Sequence, residues 1–580
     1  MKVLLLALNA KFIHTSLALR YIKTYCEEYD DRIHIMETSI NNNENEIIKA
    51  IYRQKPDIIG ISCYIWNMSY IKMLIPTLKK ILPEVTIVLG GPEVSYEGEQ
   101  LLSIPEVDLI MEGEGEETWK EYLDYRVHHQ GKLSEIAGLV YRSEDGYIHR
   151  NAHRKPLDLN KLPFVYDSLE GLAHKIIYYE ASRGCPFNCQ YCLSSIEQGV
   201  RFVPIEKVKK HMDYFLENRV KQVKFVDRTF NARRKYAMDI WEYIIEHDNG
   251  YTNFHFEIAA ELIHEEMYAL LAKARPGLIQ FEIGVQSTNP NVLKIIKRPM
   301  PFEDIKVVVN RIRALGNIHQ HLDLIAGLPE EDYRSFRKSF NDVMSLRPEQ
   351  FQLGFLKLLK GSGLREKAAK YGLVYKAEPP YEILYTDYIS YEEILRLHGI
   401  DDLVDRYYNN GRFAHTLEYF FACYDAPFDF FEAFSLFWEE KGYDQIEHNK
   451  MAYYHHLIEF AISSPKVNEE IIKELVRFDY LLQESIKEMP LNFETIAREQ
   501  LKETFNALLK DDEWVSSYLP HLQHLAPRQR YRATYLDAYY YPIWNALKKG
   551  QVELKRLNAP QKVLFDYSNS STKWLLLHED

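Results

Sequence analysis

Residues 182–192 read SRGCPFNCQYC and place three cysteines, Cys185, Cys189 and Cys192, in a C-x3-C-x2-C spacing. Half of the six cysteines in this chain of 580 residues therefore lie in one short loop. Soft thiolates held close together select iron–sulfur clusters or zinc. A structural zinc site usually has a closed set of four ligands, whereas three thiolates can hold three irons of a [4Fe–4S] cluster. The spacing leaves both metals open, but three ligands favour a cluster whose fourth iron binds another molecule.

The chain on both sides of this loop alternates strand patterns with helical patterns. The run IIYYEA at 176–181 predicts a strand that leads into the cysteines. Further strands are predicted at Val223–Asp227, Phe254–Ile258, Ile279–Gly284, His321–Ile325 and Phe351–Leu356. Six successive βα units predict a partial (β/α)6 barrel over residues 171–378, with its chemistry at the carboxyl ends of the strands.

Residues 1–125 show a similar alternation, typical of a doubly wound parallel sheet. Strands are predicted at Val3–Leu8, Ile33–Glu37, Ile58–Cys63, Thr86–Leu89 and Leu109–Met111. In such flavodoxin-like (Rossmann-like) sheets a ligand binds beyond the carboxyl ends of the strands. The candidate binding residues at those ends are Asn9, His14, Ser16, Ser62, Tyr64, Trp66, Asn67, Gly90, Gly91, Glu93, Gly113 and Glu114.

The cysteine loop resembles that of the radical S-adenosylmethionine (SAM) superfamily. In that family the open iron binds the amino and carboxylate groups of SAM, and reduction cleaves SAM to methionine and a 5′-deoxyadenosyl radical. The resemblance implies SAM contacts for six residues: Tyr191, Asp227, Glu282, Ser287, Arg298 and Gly327. Asp227 would hold the methionine amino group, Tyr191 would lie against adenine, and Arg298 would meet the carboxylate. The alternatives are ordinary packing for Tyr191 and a solvated surface position for Arg298.

The N-terminal domain resembles the cobalamin-binding domain that precedes many radical SAM enzymes. The matching segments are PDIIGIS (56–62), LGGPE (89–93) and GEGE (113–116). The resemblance implies that the strand-end residues of this domain bind cobalamin. The D-x-H-x-x-G signature, whose histidine coordinates cobalt, is absent, and a lone loop histidine such as His14 is more often a surface residue than a ligand. We therefore expect cobalt without a protein histidine on its lower face, and a packing module without a ligand is the alternative.

Two further regions complete the expected organisation. Residues 126–170 are interpreted as a connector, because Ile136–Tyr141 and Tyr147–Arg150 flank a hairpin signal at 143–146. Residues 379–580 predict a mainly helical domain, about which the resemblance says little. An aromatic stripe in it is typical of a buried helix face, with substrate contact as the alternative. Its members are Tyr424, Phe428, Phe431, Phe434 and Trp438.

Composition narrows the class of protein. The net charge of −13 argues against bulk nucleic-acid binding. No apolar run of 18 residues exists, so no transmembrane helix is expected, and residues 1–9 are interpreted as a first strand rather than a signal peptide. Cys26, Cys63 and Cys423 are expected to be buried free thiols. A reducing cytoplasm fits these features, and an electron donor such as flavodoxin or ferredoxin is the expected partner.

The resemblance implies a cobalamin-dependent radical SAM enzyme with a [4Fe–4S] cluster, SAM and cobalamin as cofactors. Methyl transfer to an unactivated carbon is the favoured outcome, and radical cyclisation or rearrangement without methyl transfer is the alternative. Methylthio transfer to tRNA is weaker, because those enzymes need three further N-terminal cysteines and only Cys26 and Cys63 precede the loop. A non-catalytic cobalamin-binding protein is a further alternative. The sequence assigns neither a substrate nor a catalytic residue.

Overall fold

The computed structural model describes residues 1–580 except 97, 144, 197–198, 299, 485–497, 545–553, 569–571 and 578–580. The chain divides into two compact units, residues 1–342 with 353–394 and residues 343–352 with 395–580. In the described part of the chain, no helix combines the length and the apolar character needed to cross a membrane.

The first unit begins with a β-sheet that helices flank. Its strands are β1 (Val3–Asn9), β2 (Ile33–Ser39), β3 (Ile58–Ser62), β4 (Thr86–Gly90), β5 (Leu109–Met111), β6 (Leu139–Arg142) and β7 (Ile148–Arg150). The helices are α1 (Leu17–Tyr25), α2 (Glu44–Gln54), α3 (Met68–Ile81), α4 (Gly98–Leu101) and α5 (Glu116–His128). The strand order is β2-β1-β3-β4-β5-β6-β7, with parallel pairs up to β5 and antiparallel pairs beyond it. The first five strands have the flavodoxin-like order, and the hairpin of the expected connector extends the same sheet.

Two apolar cores cover the two faces of this sheet. Leu4 and Leu6 of β1 pack on one face against residues of α2 and α3, whereas Val3 and Leu5 pack on the other against α1 and α5. This alternation follows from the two-residue period of a strand. Because both faces are covered, a ligand has access only at the strand ends.

The central part of the first unit carries the predicted βα repeats. Its strands are β8 (Ile177–Tyr179), β9 (Ser182–Cys185), β10 (Gly199–Phe202), β11 (Gln222–Phe225), β12 (Asn253–Glu257), β13 (Ile279–Gln286), β14 (His319–Ala326), β15 (Gln350–Phe355), β16 (Val374–Tyr375) and β17 (Ile383–Tyr385). The helices are α6 (Ile205–Glu217), α7 (Arg234–Glu246), α8 (Glu265–Leu271), α9 (Pro290–Ile295), α10 (Phe302–Leu315), α11 (Tyr333–Met344) and α12 (Gly363–Glu366). One sheet has the order β15-β14-β13-β12-β11-β8, while β9 pairs with β10 and β16 with β17. Strands that follow one another in space as they do along the chain, with helices between them, form the predicted partial (β/α)6 barrel.

Helices dominate the chain after residue 390, and the predicted α/β class with a mainly helical C-terminal part is confirmed. The helices are α13 (Tyr391–Leu403), α14 (Ala414–Cys423), α15 (Pro427–Glu440), α16 (Lys450–Ser463), α17 (Glu469–Gln483), α18 (Arg498–Lys510), α19 (Asp512–Tyr518) and α20 (Pro527–Ala533). A small antiparallel sheet joins β18 (Thr534–Tyr539), β19 (Gln561–Asp566) and β20 (Lys573–Leu577). The aromatic stripe is buried, mostly on α15, and forms helix core. Cys26 and Cys63 are buried free thiols as predicted, but Cys423 is only half-buried.

Candidate active site

The cysteine loop is fixed by the short strand pair β9–β10. Gly184 has a φ of +95°, and a Cβ there would collide with the carbonyl oxygen of Gly199, so only glycine fits this position. Further along, the hydroxyl of Ser195 donates to the carbonyl oxygens of Cys189 (2.9 Å) and Cys192 (2.7 Å). These bonds close the loop on itself.

All three loop cysteines are free and line one cavity of about 180 Å³. Of the residues predicted to bind SAM, Tyr191, Glu282 and Arg298 line the same cavity. The Nη2 atom of Arg298 donates to the carbonyl oxygen of Gly284 (2.7 Å), and its Nη1 lies 3.9 Å from the Sγ atom of Cys189. Its Nε is buried without a hydrogen-bond partner among the described residues. Three free thiols facing one cavity form the donor set of a three-cysteine [4Fe–4S] site, and the orphaned Nε suits an anionic ligand beside it.

The other three residues predicted to bind SAM lie outside the lining of this cavity. The carboxylate of Asp227 is buried and accepts hydrogen bonds from the backbone N–H of Ala181 (3.0 Å) and the hydroxyl of Ser182 (2.5 Å). Burial raises the pKa of Asp227 to about 7, against the effect of these bonds. Ser287 is buried as well, and Gly327, at φ +80°, packs against the side chain of Ile383. These three residues therefore pack around the strand ends without lining the cavity.

The cavity wall also includes three charged residues that the sequence analysis missed, Arg228, Glu257 and Asp323. Glu257 is the last residue of β12, and its carboxylate makes no hydrogen bond or ion pair with the described residues. Burial raises the pKa of Glu257, and the positive charge of Arg228 acts in the opposite direction. A signal for Glu257 was present in the sequence, because it lies one residue before the end of the predicted barrel strand Phe254–Ile258.

Glu282 lies in a buried polar row on the inner side of the barrel. Its Oε2 atom is 3.0 Å from Nζ of Lys224 and 3.1 Å from Nε2 of His255. Burial on its own raises the pKa of Glu282, but His255 and Lys224 outweigh it and lower the pKa below its usual range. Glu282 therefore contributes an ionised carboxylate whose position is set by partners on two neighbouring strands.

A second, larger cavity of about 670 Å³ lies at the carboxyl ends of β1, β4 and β5. Eight of the strand-end residues predicted to bind a ligand line it: Asn9, His14, Ser16, Tyr64, Trp66, Gly91, Gly113 and Glu114. Its opposite wall comes from the barrel, through Tyr178, Glu180, Arg183 and Arg228. The structure thus places this cavity between the first sheet and the barrel of the same unit.

The other four predicted residues, Ser62, Asn67, Gly90 and Glu93, lie outside this lining. Asn67 is buried, and its side-chain amide donates to the carbonyl oxygens of Leu8 (3.1 Å) and Ser62 (2.9 Å). Glu93 is buried and accepts a hydrogen bond from the hydroxyl of Tyr381 (2.8 Å). Asn67 and Glu93 therefore hold the loops in place, a role that their position in the sequence did not distinguish from ligand contact.

Several features of the larger cavity fit a bulky ligand with both flat and polar surfaces, such as a corrinoid. The rings of Trp66 and Tyr64 stack at 4.4 Å and 6°, and Trp66 remains 44% exposed. The hydroxyl oxygen of Ser16, which lines the cavity, is buried without a hydrogen-bond partner among the described residues. A Cβ on Gly113 would meet open space. The lining of the larger cavity thus offers an aromatic surface, an unpaired hydroxyl and unfilled space beside Gly113.

Ion pairs link the GEGE loop of the first sheet to the strand that carries Cys185. The guanidinium of Arg183 lies 2.5 Å from Glu116, 2.9 Å from Glu180 and 3.4 Å from Glu114. Glu114 also pairs with Arg201 on β10 (2.5 Å). Glu114 therefore lines the larger cavity with its carboxylate already engaged, and the network ties this cavity wall to the strand that leads into the cysteine loop.

Three family models match the chain: a B12 binding domain at residues 3–123, the Radical SAM superfamily at residues 179–343, and a protein of unknown function, DUF4080, at residues 369–565. The chain is 27% identical over 329 residues to an uncharacterized methyltransferase of Pyrococcus horikoshii, which covers 54% of this chain and 70% of that protein. It is 25% identical over 340 residues to the cobalamin-dependent radical SAM methyltransferase TokK of Streptomyces tokunonensis, which covers 55% of this chain and 50% of that protein. Among solved structures, the cobalamin-dependent S-adenosylmethionine radical enzyme OxsB has a similar fold, with a TM-score of 0.58 and 15% identity over 95% of this chain and 84% of that chain.

The chain thus spans 70% of the first relative and half of the second. The B12 binding and Radical SAM matches occur in the order that the sequence motifs predicted, which confirms the resemblance and the set of cofactors it implies. The chain therefore combines a B12 binding domain with a Radical SAM domain, and it is similar in sequence to a cobalamin-dependent radical SAM methyltransferase.

Proposed function

We propose that this chain is an enzyme that uses a [4Fe–4S] cluster, SAM and cobalamin to methylate an unactivated carbon of its substrate. The observation that carries the proposal is Arg228, which lines both the cavity of the three cysteines and the larger cavity. The two cavities therefore adjoin, as a reaction that uses both cofactors on one substrate requires. The two curated relatives, which are methyltransferases by name, favour methyl transfer over other radical outcomes.

In this proposal Cys185, Cys189 and Cys192 hold the cluster and the adjoining cavity takes SAM. When bound, the reduced cluster supplies the electron that cleaves SAM to a hydrogen-abstracting 5′-deoxyadenosyl radical, and cobalamin supplies the methyl group. The chain's own residues bind and orient. Glu257 offers an unpaired carboxylate to the methionine ammonium group, and Arg298, beside Cys189, offers its guanidinium to the methionine carboxylate.

We propose two kinds of role for the other residues that were predicted to bind SAM: direct contact with SAM, and shaping of the strand ends. Tyr191 lies in the cavity wall and is proposed to contact adenine, and Glu282 is proposed to accept a hydrogen bond from the ribose. Asp227, Ser287 and Gly327 are proposed to shape the strand ends that carry the contacting residues, because they lie outside the cavity lining.

The larger cavity is proposed to bind cobalamin through the aromatic surface of Tyr64 and Trp66 and the unpaired hydroxyl of Ser16. We propose no cobalt ligand from His14, because the residues around it lack the D-x-H-x-x-G signature; its Nδ1 lies 2.6 Å from the hydroxyl of Tyr178, which orients the ring. Electrons would come from a donor such as flavodoxin or ferredoxin. A low-potential cluster needs a reducing compartment, and this supports a cytoplasmic location.

Two of the alternative functions meet structural objections. Methylthio transfer to tRNA needs a second N-terminal cluster, but Cys26 and Cys63 belong to the cores on opposite faces of the first sheet. A non-catalytic cobalamin carrier would not need three free cysteines, Glu257 and Arg298 around one cavity. Radical cyclisation or rearrangement would use the same residues as methyl transfer, so an assay must separate these two outcomes.

The test is anaerobic reconstitution of the full chain with iron, sulfide and cobalamin, followed by reduction in the presence of SAM labelled on its methyl group. The expected results are about four irons per chain, retained corrinoid, 5′-deoxyadenosine, and label in a small molecule of an added metabolite extract. Cys189→Ala should lose iron and 5′-deoxyadenosine, whereas Cys423→Ala, a matched cysteine outside the loop, should keep both. An unimpaired Cys189→Ala variant would refute the cluster assignment. Formation of 5′-deoxyadenosine with no labelled product would replace methyl transfer by rearrangement.

A further inference from the structure

Arg228 occupies an unusual position in the first unit. It follows β11 and lines both cavities, so its guanidinium lies where the cysteine cavity and the larger cavity meet. Its carbonyl oxygen accepts a hydrogen bond from the hydroxyl of Thr229 (2.8 Å), but its guanidinium makes no hydrogen bond or ion pair within the described part of the chain. Burial raises the pKa of Tyr64 in one cavity and of Glu257 in the other, and the positive charge of Arg228 opposes this rise in both cavities.

The other arginines that line these cavities are already engaged. Arg183 pairs with Glu116, Glu180 and Glu114. Arg298 donates to a backbone carbonyl oxygen and lies beside Cys189. Arg183 is therefore neutralised by the chain, and Arg298 is oriented toward the cysteine loop.

The carboxylates of the larger cavity do not neutralise Arg228. Glu114, Glu116 and Glu180 all lie within the ion-pair network of Arg183 and Arg201. Glu257, in the cysteine cavity, forms no ion pair with Arg228 in the described part of the chain. One unneutralised guanidinium thus remains at the junction of the two cavities, and the planar fork of an arginine matches an oxyanion with two parallel hydrogen bonds.

We propose that Arg228 binds an oxyanion group of the substrate, so that the substrate is a small organic anion carrying a carboxylate or a phosphate. The proposal rests on the proposed function, since only a substrate shared by the two cofactors must lie at this junction. Arg298 is the better placed partner for the carboxylate of SAM, because it lies beside Cys189. Arg228 would fix the anionic end of the substrate and leave the reacting carbon between the cavities.

The first test is chemical modification of arginines by phenylglyoxal, read by peptide mass spectrometry. The protein is loaded with cluster, cobalamin and S-adenosylhomocysteine, and the probes are inorganic phosphate and acetate. Arg228 should remain reactive after loading, and one of the probes should slow its modification by about tenfold, the effect of one charge-assisted hydrogen-bond pair. The control is Arg234, a surface arginine whose Nε lies 3.1 Å from Glu266 and whose modification should not change. Protection by phosphate or by acetate tells which oxyanion the site prefers.

Two results would overturn the proposal. Loss of Arg228 reactivity on loading with S-adenosylhomocysteine or cobalamin alone would assign it to a cofactor, and a lack of protection by both probes would remove the anion site. The second test is calorimetry of the preferred probe. Arg228→Gln should weaken its binding by about tenfold while the affinities for S-adenosylhomocysteine and cobalamin stay the same, and Arg234→Gln should match the unmodified chain. A chain that binds the probe at Arg228 but forms no 5′-deoxyadenosine would contradict the proposed function and leave the anion site standing.

Discussion

Replacing Arg183 by glutamine should loosen the contact between the GEGE loop and the strand that carries Cys185. The Arg183 side chain is only 13% exposed, and its partners Glu180, Glu116 and Glu114 are 15%, 7% and 17% exposed. Removing one partner of a buried ion pair costs about 3–5 kcal/mol, because the remaining charge is left uncompensated. Glu114 keeps Arg201 as a partner, so the lower end of this range, about 3 kcal/mol, is expected.

Hydrogen exchange measured by mass spectrometry on the protein without cofactors tests this magnitude locally. Since every 1.4 kcal/mol is a factor of ten, amide protection in residues 112–117 and 182–185 should fall about a hundredfold in Arg183→Gln. The matched control is Arg234→Gln, which removes a surface pair with Glu266 and should change protection by about fivefold at most.

The pH dependence gives the same prediction a second check. Burial already raises the pKa of Glu180, with Arg183 opposing it, so loss of Arg183 should raise this pKa further. A carboxyl group whose folded pKa is raised favours the folded state when it is protonated. After correction for intrinsic exchange, protection in Arg183→Gln should therefore recover as the pH falls from about 7.5 to about 5.5. A fall in protection no larger than that of the Arg234→Gln control, or no recovery in acid, would refute the reasoning.

Three further outcomes are expected. Glu257→Gln should weaken SAM binding in equilibrium dialysis by about tenfold, and an equal loss in the surface variant Glu266→Gln would make the effect nonspecific. Gly184→Ala should prevent the β9–β10 pairing and lower iron content on reconstitution, because its Cβ would collide with Gly199; normal iron content would contradict this. Burial raises the pKa of Glu331 to about 7, so this group should make the free energy of unfolding fall as the pH rises from about 4.5 to about 7. Glu331→Gln should remove that slope in urea unfolding, and an unchanged slope would exclude Glu331 as its source.

The strand patterns and the cysteine spacing were readable without tertiary information. Apolar runs predicted the parallel strands of both sheets, since a buried strand depends mainly on local sequence. The direction of a side chain at a strand end was not readable. Asp227 and Arg228 are neighbours, yet Asp227 points behind the sheet to Ser182 and Arg228 lines both cavities. Both residues lie beyond the end of β11, where the chain enters a turn, so the two-residue period of a strand no longer sets the direction of a side chain.

In the first sheet, too, the sequence did not reveal which side chains at the strand ends face the cavity. Asn67 and Glu93 follow strands just as Trp66 and Gly91 do, but hydrogen bonds to Leu8 and Tyr381 direct the first two into the protein. The partner of Glu93 is 288 residues away in the chain, and no local pattern carries that information.

By itself the sequence determined the donor set, three thiols in one loop, and the order of βα units that brings this loop to the carboxyl ends of a barrel. It did so because ligand spacing and hydrophobic period are local properties of the chain. Only the tertiary structure decided that the cysteine cavity and the strand-end cavity adjoin at Arg228, and that Arg183 pairs with Glu116, 67 residues away, in the wall of the larger cavity. The junction at Arg228 and the pair of Arg183 with Glu116 both depend on how the first sheet and the barrel pack against each other. Contacts between residues that are far apart in the chain leave no pattern in any short stretch of sequence.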